Sequence, residues 1–261
     1  MNMQVLLSAM YLEDENYIDT LNIKTDCLVI NQCDRECDKK IRHDTGEASC
    51  DVRYIETRQR GLSKSRNMAM DEASADICIF CDNDVEYVKG YDRIIKDAFD
   101  RYDDADVIVF FIKRPERTKP VFSKPGRMGY LSVLKIFSPE IAFLRKNLSG
   151  IRFDEDFGAG AKYYMGEENI FLYDCLKKGK KIMYVPTMIA CVRDEPSTWY
   201  QGMDERFFVS RGAGYEAMSR WFSLILILQF AIRKRKMYTD RISTKRAVAK
   251  MLEGRREYRR R

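Results

Sequence analysis

The chain has 261 residues, with 46 Lys and Arg against 40 Asp and Glu, eight cysteines and one histidine. Its length suits one large α/β domain plus a tail. A Ser-His or Cys-His nucleophile would have to use His43, which sits in a polar stretch with no orienting partner nearby, so acid-base chemistry falls to carboxylates. The cysteines are scattered, and Cys27, Cys78 and Cys81 lie in or beside apolar runs, which points to buried reduced thiols; Cys33 and Cys37 are four positions apart in a polar stretch.

The first apolar run, at 4–8, is followed by Glu13, Asp14 and Glu15, so no secretory leader is expected and the chain reads as a cytoplasmic enzyme. Periodicity and turn residues predict strands over 4–8, 27–31, 52–56, 77–81 and 107–111, and helices over 14–21, 62–73 and 91–102. His43 is expected in a loop. Alternation of this kind predicts a mainly parallel sheet covered by helices, with ligands at the carboxyl ends of the strands. No internal repeat or low-complexity tract interrupts it.

The string GLSKSRN at 61–67 reads as a glycine turn entering a helix that carries Leu62, Met68, Ala69 and Ala73 toward a core. Lys64 and Arg66 near a helix start suit an oxyanion, although a capped surface helix with solvated charges explains the segment as well. The strand over 77–81 then delivers Asp82 and Asp84, whose hard oxygens suit Mg2+ or Mn2+. Asp-x-Asp alone is weak evidence; its place after a buried strand gives it weight. The segment 113–129, with Pro115, Pro120 and Pro125, reads as an irregular loop, either a flap over a ligand or a static surface.

The string FDEDFGAG at 153–160 leads to Gly166, Glu167 and Glu168, which open a helix with an apolar face of Ile170, Phe171, Cys175 and Leu176 and a stop at Gly179. Acids in a first turn also interact favourably with the helix dipole and require no chemistry. Residues 221–232 are nearly all apolar but fall short of the roughly 20 needed to span a bilayer. Residues 233–261 hold 13 Lys and Arg against 3 Asp and Glu, a net of +10, leaving −4 for the rest. This apolar segment and cationic tail suit an anionic membrane surface or, equally, a core or homodimer helix with a solvated tail. Nucleic acid ranks lowest, since Tyr238 and Tyr258 are the tail's only aromatics. The expected division is a domain over 1–220 and a tail over 221–261.

In order and spacing, the strand at 4–8, GLSKSRN, Asp82-Asn83-Asp84, Gly158-x-Gly160 and Gly166-Glu167-Glu168 resemble family 2 glycosyltransferases of the GT-A fold, especially the bacterial surface-polysaccharide type, over residues 3–215. The resemblance implies a single mainly parallel twisted sheet covered by helices, here with a helical basic C-terminal tail. It implies metal-dependent, inverting transfer from a nucleotide-diphosphate sugar, a UDP-sugar, to a hydroxyl of a saccharide or lipid-linked acceptor in cell-surface polysaccharide synthesis. Asp84 and Asp82 would hold Mn2+ or Mg2+; Ser8, Asn31, Lys64, Arg66, Asp82 and Arg193 would bind the donor nucleotide. Glu168 would be the general base, and Gly158, Gly160, Glu167 and Trp199 would border donor sugar or acceptor.

Two departures stand out. Asn31-Gln-Cys-Asp34 replaces the family's Asp-Asp-x-Ser-like base reader, and Arg193 stands where many members carry a late histidine. A guanidinium offers no lone pair to a metal, so Arg193 is read as a diphosphate contact. The rivals are a nucleotidyltransferase of related architecture, although no glycine-rich basic loop follows the first strand, and a non-catalytic membrane-associated scaffold acting through its tail.

Overall fold

The computed structural model describes residues 1–44, 49–193 and 202–261. The chain divides into two compact units, Met1–Arg60, Lys64–Arg152 and Cys175–Glu195 forming the first, and Gly61–Ser63, Phe153–Asp174 and Pro196–Arg261 the second. The break expected at residue 221 falls inside the second unit.

The first unit holds every strand among the described residues: β1 (Met3–Met10), β2 (Asp26–Gln32), β3 (Cys37–Asp44), β4 (Ser49–Thr57), β5 (Ile77–Asp82), β6 (Val85–Tyr87), β7 (Val107–Lys113), β8 (Gly126–Arg127), β9 (Ile141–Leu144) and β10 (Ile182–Val192). They form one sheet in the order β3-β4-β2-β1-β5-β9-β7-β10-β6, with β8 on β10. The neighbours β4, β2, β1 and β5 are parallel, as are β7 and β10, while β3, β9 and β6 pair antiparallel with their neighbours. The sheet is thus mostly parallel, as the alternating pattern predicts. Residues Cys27 to Ile30 and Ile77 to Cys81 are buried on both faces, which is why these strands read as unbroken apolar runs. Helices α1 (Tyr17–Thr20), α2 (Leu62–Glu72) and α3 (Tyr91–Arg101) punctuate the strands.

Two expectations change here. The helix over 14–21 reduces to the single turn α1. His43 lies in strand β3, not a loop; it is buried, with Nε2 2.9 Å from Asp19 Oδ1. The segment 113–129 is largely irregular, as read from the sequence, and it is tied down: Arg117 donates to buried Glu140 at 3.0 Å and to Lys135 O at 2.6 Å, and Tyr184 OH accepts from Val121 N–H. None of the eight cysteines is in a disulfide, and burial pushes the Cys78 thiol up to about 12, which keeps it protonated.

In the second unit, α4 (Glu167–Lys177) begins after the glycine-rich loop, and α5 (Glu205–Met218), α6 (Ser223–Arg233) and α7 (Thr244–Arg259) pack around Phe207, Phe208, Tyr215, Phe230 and Tyr238. Helices α5 and α7 cross where each contributes a glycine: a methyl group on Gly212 would collide with the Met251 carbonyl, and one on Gly254 with the Val209 carbonyl. Buried Glu216 on α5 accepts from Arg255 and Arg259 of α7, at 3.0 and 2.7 Å, and from Ser223 of α6. Tyr258 and Arg261 reach Asp154 and Asp156 at 2.6 and 2.7 Å, fastening the loop ahead of Gly158. No helix among the described residues is long and apolar enough to cross a membrane.

Candidate functional site

Within the first unit, β1, β2, β4 and β5 end on one edge of the sheet, and their register brings Ser8 beside Asp82. Chain direction explains why chemistry collects there: parallel strands finish together, and the loops that follow them share one rim. Asp82 ends β5, and Asn83 and Asp84 form the turn into β6.

Three contacts fix this turn. Arg66 of α2 donates through Nη2 to both Asp82 oxygens, at 2.9 and 3.3 Å. Tyr17 OH donates to Asn83 O at 2.8 Å, and Arg193 N–H donates to Asp84 O at 2.8 Å. The Arg66 side chain is 2% exposed and that of Asp82 is 20% exposed, so the guanidinium is enclosed while its partner carboxylate keeps a path to solvent. Sequence reading assigns Arg66 to a diphosphate; in the fold its hydrogen bonds go first to Asp82. Lys64, two residues earlier, is exposed.

The other residues expected at the donor take up internal hydrogen bonds. Ser8 Oγ accepts from Ser65 Oγ at 2.9 Å, and both residues are buried. Asn31 clamps Leu12 from both sides, its Oδ1 accepting from Leu12 N–H and its Nδ2 donating to Leu12 O, each at 2.9 Å. It therefore shapes the loop after β1. The Arg193 guanidinium bonds to Thr20 O and lies 3.9 Å from Glu86 and 6.0 Å from the Tyr17 ring centroid.

One group at this rim escapes sequence reading. Tyr11, just past β1 with φ +51°, is 54% exposed and lies under Arg60, whose guanidinium is 5.4 Å from the ring centroid. Arg60 also donates to Asp34 Oδ1 at 2.6 Å, and Tyr11 OH lies 3.3 Å from the same oxygen. In the sequence this group shows only as a tyrosine shortly before Glu13, Asp14 and Glu15; its positive φ and its arginine partner come from the fold.

The second unit carries the other candidates. Gly61, Gly158, Gly160 and Gly166 all have positive φ, from +80° to +120°. Leu62 N–H donates to Ala159 O at 2.9 Å, Ser63 Oγ to Phe157 O at 2.6 Å, and Gly158 N–H to Tyr163 O at 2.8 Å. A Cβ on Gly158 would lie 3.2 Å from Ser63 Oγ and 3.4 Å from Glu167 Cδ, so the loop closes directly over the buried Glu167 carboxyl. Glu168, its neighbour in the first turn of α4, is half-buried. Trp199 lies outside the described residues.

Among the described residues no group of three or more His, Cys, Asp or Glu side chains could hold a metal ion. Asp82 and Asp84 offer a pair of carboxylates, one of them already bridged to a guanidinium. That set fits a hard cation of the Mg2+ or Mn2+ kind, which takes one or two protein carboxylates and completes its shell with phosphate oxygens and water.

The mostly parallel sheet, with its strands' carboxyl ends gathered on one edge, is of the GT-A class of glycosyltransferase fold. The comparisons agree. The chain is similar to the crystal structure of S. aureus TarS 1–349 in complex with UDP at 14% identity, over 97% of this chain and 81% of that one, with TM-score 0.62. The TarS 1–349 complex with UDP-GlcNAc matches at 13% identity over 100% and 92%, TM-score 0.61, and S. aureus TarS at 14% over 97% and 49%, TM-score 0.63. No curated protein sequence matches. The family model of glycosyl transferase family 2 matches residues 20–158, more than half of the chain, and the chain belongs to that family.

Proposed function

We propose that this enzyme transfers a sugar from a nucleotide-diphosphate donor, of the UDP-sugar kind, to a hydroxyl of a saccharide or lipid-linked acceptor, with inversion, in the building of a cell-surface polysaccharide. The observation that carries this reading is the Asp82-Asn83-Asp84 turn, held by Arg66, Tyr17 and Arg193 at the common end of β1, β2, β4 and β5. The UDP and UDP-GlcNAc complexes of the similarly folded TarS support the choice of donor.

In this reading Asp84, with Asp82, holds Mn2+ or Mg2+, which when bound would neutralise the diphosphate. Arg66 positions Asp82, and Asp82 faces the ribose. Lys64 is exposed and supplies charge to the phosphates; Arg193, tethered at Thr20 and Glu86, adds positive potential beside the turn. Ser8 and Asn31 act through what they hold, Ser65 and Leu12, and the exposed part of the Tyr11 ring, which Arg60 partly covers, offers a stacking surface for the base.

Glu168 takes the proton from the acceptor hydroxyl as that oxygen attacks the anomeric carbon, while the Gly158 and Gly160 loop, Glu167 and Trp199 border the sugar. The bond to the leaving diphosphate breaks as the new glycosidic bond forms. Positioning and charge neutralisation supply most of the acceleration. The basic C-terminal segment brings the enzyme to a lipid-linked acceptor at the inner face of the cell membrane.

Product analysis tests the reaction class. With a UDP-sugar, Mn2+ and an acceptor, free UDP and a glycosylated product are expected; pyrophosphate release would instead mark nucleotidyl transfer. A UDP-sugar that binds at a hundred times its Kd should raise the unfolding free energy by about 2.7 kcal/mol.

A further inference from the structure

Helix α6 has two apolar faces. Ser223, Leu226, Ile227, Phe230 and Ala231 are buried within the second unit. On the opposite side Trp221, Phe222, Leu224, Ile225, Leu228 and Ile232 are 45% to 88% exposed. Leu224, Ile225, Leu228 and Ile232 recur at helical spacing and share one stripe, with the two aromatics at its start. Where the stripe ends, Arg233, Lys234, Arg235 and Lys236 follow, all exposed. Residues 219–239 contain five basic and no acidic side chains.

We infer that this outer face of α6 is a membrane-docking surface, lying in the plane of an anionic lipid surface with its apolar stripe in the acyl boundary and Arg233 to Lys236 among the headgroups. The eleven-residue helix is too short to cross a bilayer of roughly 20 residues' span, so it lies flat. Trp221 favours the headgroup level, and Phe222 adds to the apolar face. Charge decides between a lipid surface and a second copy of the chain. A symmetric dimer contact lays a patch upon itself, and this one would bring two sets of five cations into one interface without an acid in the segment to offset them. An anionic leaflet supplies the missing counter-charge. The inference rests on the proposed lipid-linked acceptor for its purpose, while its readout is independent of sugar transfer.

The full chain should be sedimented with vesicles of phosphatidylcholine alone and of phosphatidylcholine mixed with phosphatidylglycerol, at low and high salt. It is expected to pellet with the anionic vesicles, less so as salt rises. Ile225→Glu with Leu228→Glu, and separately Lys234→Glu with Lys236→Glu, should each weaken binding by at least about tenfold, with unchanged melting and unchanged transfer to a soluble saccharide. Three results would overturn the inference: no vesicle binding, equal binding to both compositions, or a solution dimer that the Ile225→Glu, Leu228→Glu variant dissociates in a protein that ignores vesicles. Loss of transfer with vesicle binding intact would count against the proposed reaction and leave this surface standing.

Discussion

Two acidic sites, one in each unit, are built on opposite principles. The Asp82-Asn83-Asp84 turn is held by long-range partners, a buried guanidinium on Asp82, a tyrosine hydroxyl on Asn83 and a peptide N–H on Asp84. The Glu167-Glu168 helix start is shaped by backbone, with Gly158, Gly160 and Gly166 at positive φ and the loop drawn tight by Ser63 and Leu62. The first arrangement fixes charge in place before a ligand arrives. The second leaves the half-buried Glu168 carboxylate in the first turn of a helix. In the proposed reaction the former grips the diphosphate and the latter takes the acceptor's proton.

The largest expected effect is on chemistry alone. Glu168→Gln keeps the side chain's size while removing the base, so initial-rate assays should show transfer reduced by about 10²–10⁴-fold. Asp82→Ala should act on the other site and on folding together. It removes the carboxylate from a guanidinium that is 2% exposed, and chemical denaturation should show a loss of about 3 kcal/mol alongside weakened donor binding.

Arg117→Ala serves as a control away from both sites. Burial raises the carboxyl of Glu140, and Arg117 opposes that rise. Without Arg117 the folded form holds the Glu140 proton more tightly than the unfolded chain does. The loss of stability, about 3 kcal/mol at neutral pH, should therefore shrink as pH falls through the raised carboxyl range, while donor affinity stays constant. A pH series of urea melts reads both signs. Gly158→Ala should have the smallest effect, about 1–3 kcal/mol, from its φ of +103° and the nearby Ser63 hydroxyl. If its kcat falls while its donor Kd holds, the helix-start site is sharpened as the chemical one.

Much of this was legible in the sequence because burial writes itself as unbroken apolar runs. The strand cores at 27–31 and 77–81 and the helix with Ile170 and Phe171 needed no partner to be seen. Strand β3 was hidden because its residues, Cys37 to Asp44, are polar and alternate at an exposed edge, where the sheet ladder rather than composition decides. The same edge turned His43 from a loop residue into a buried partner of Asp19. At the site, the acids and basic residues could be named from their spacing, but not their partners. Arg66 meets Asp82 across 16 positions, and Asn31 meets Leu12 across 19, contacts that only the folded sheet creates.

Calorimetric titration of a UDP-sugar with Mn2+ into the parent, Asp84→Asn and Glu168→Gln proteins tests the division most directly. If the strand-end turn grips the donor and the helix start carries the base, Asp84→Asn loses most of the binding while Glu168→Gln keeps a Kd within about twofold of the parent, a difference under 0.5 kcal/mol. Undiminished binding by Asp84→Asn, or its loss in Glu168→Gln, would contradict the assignment.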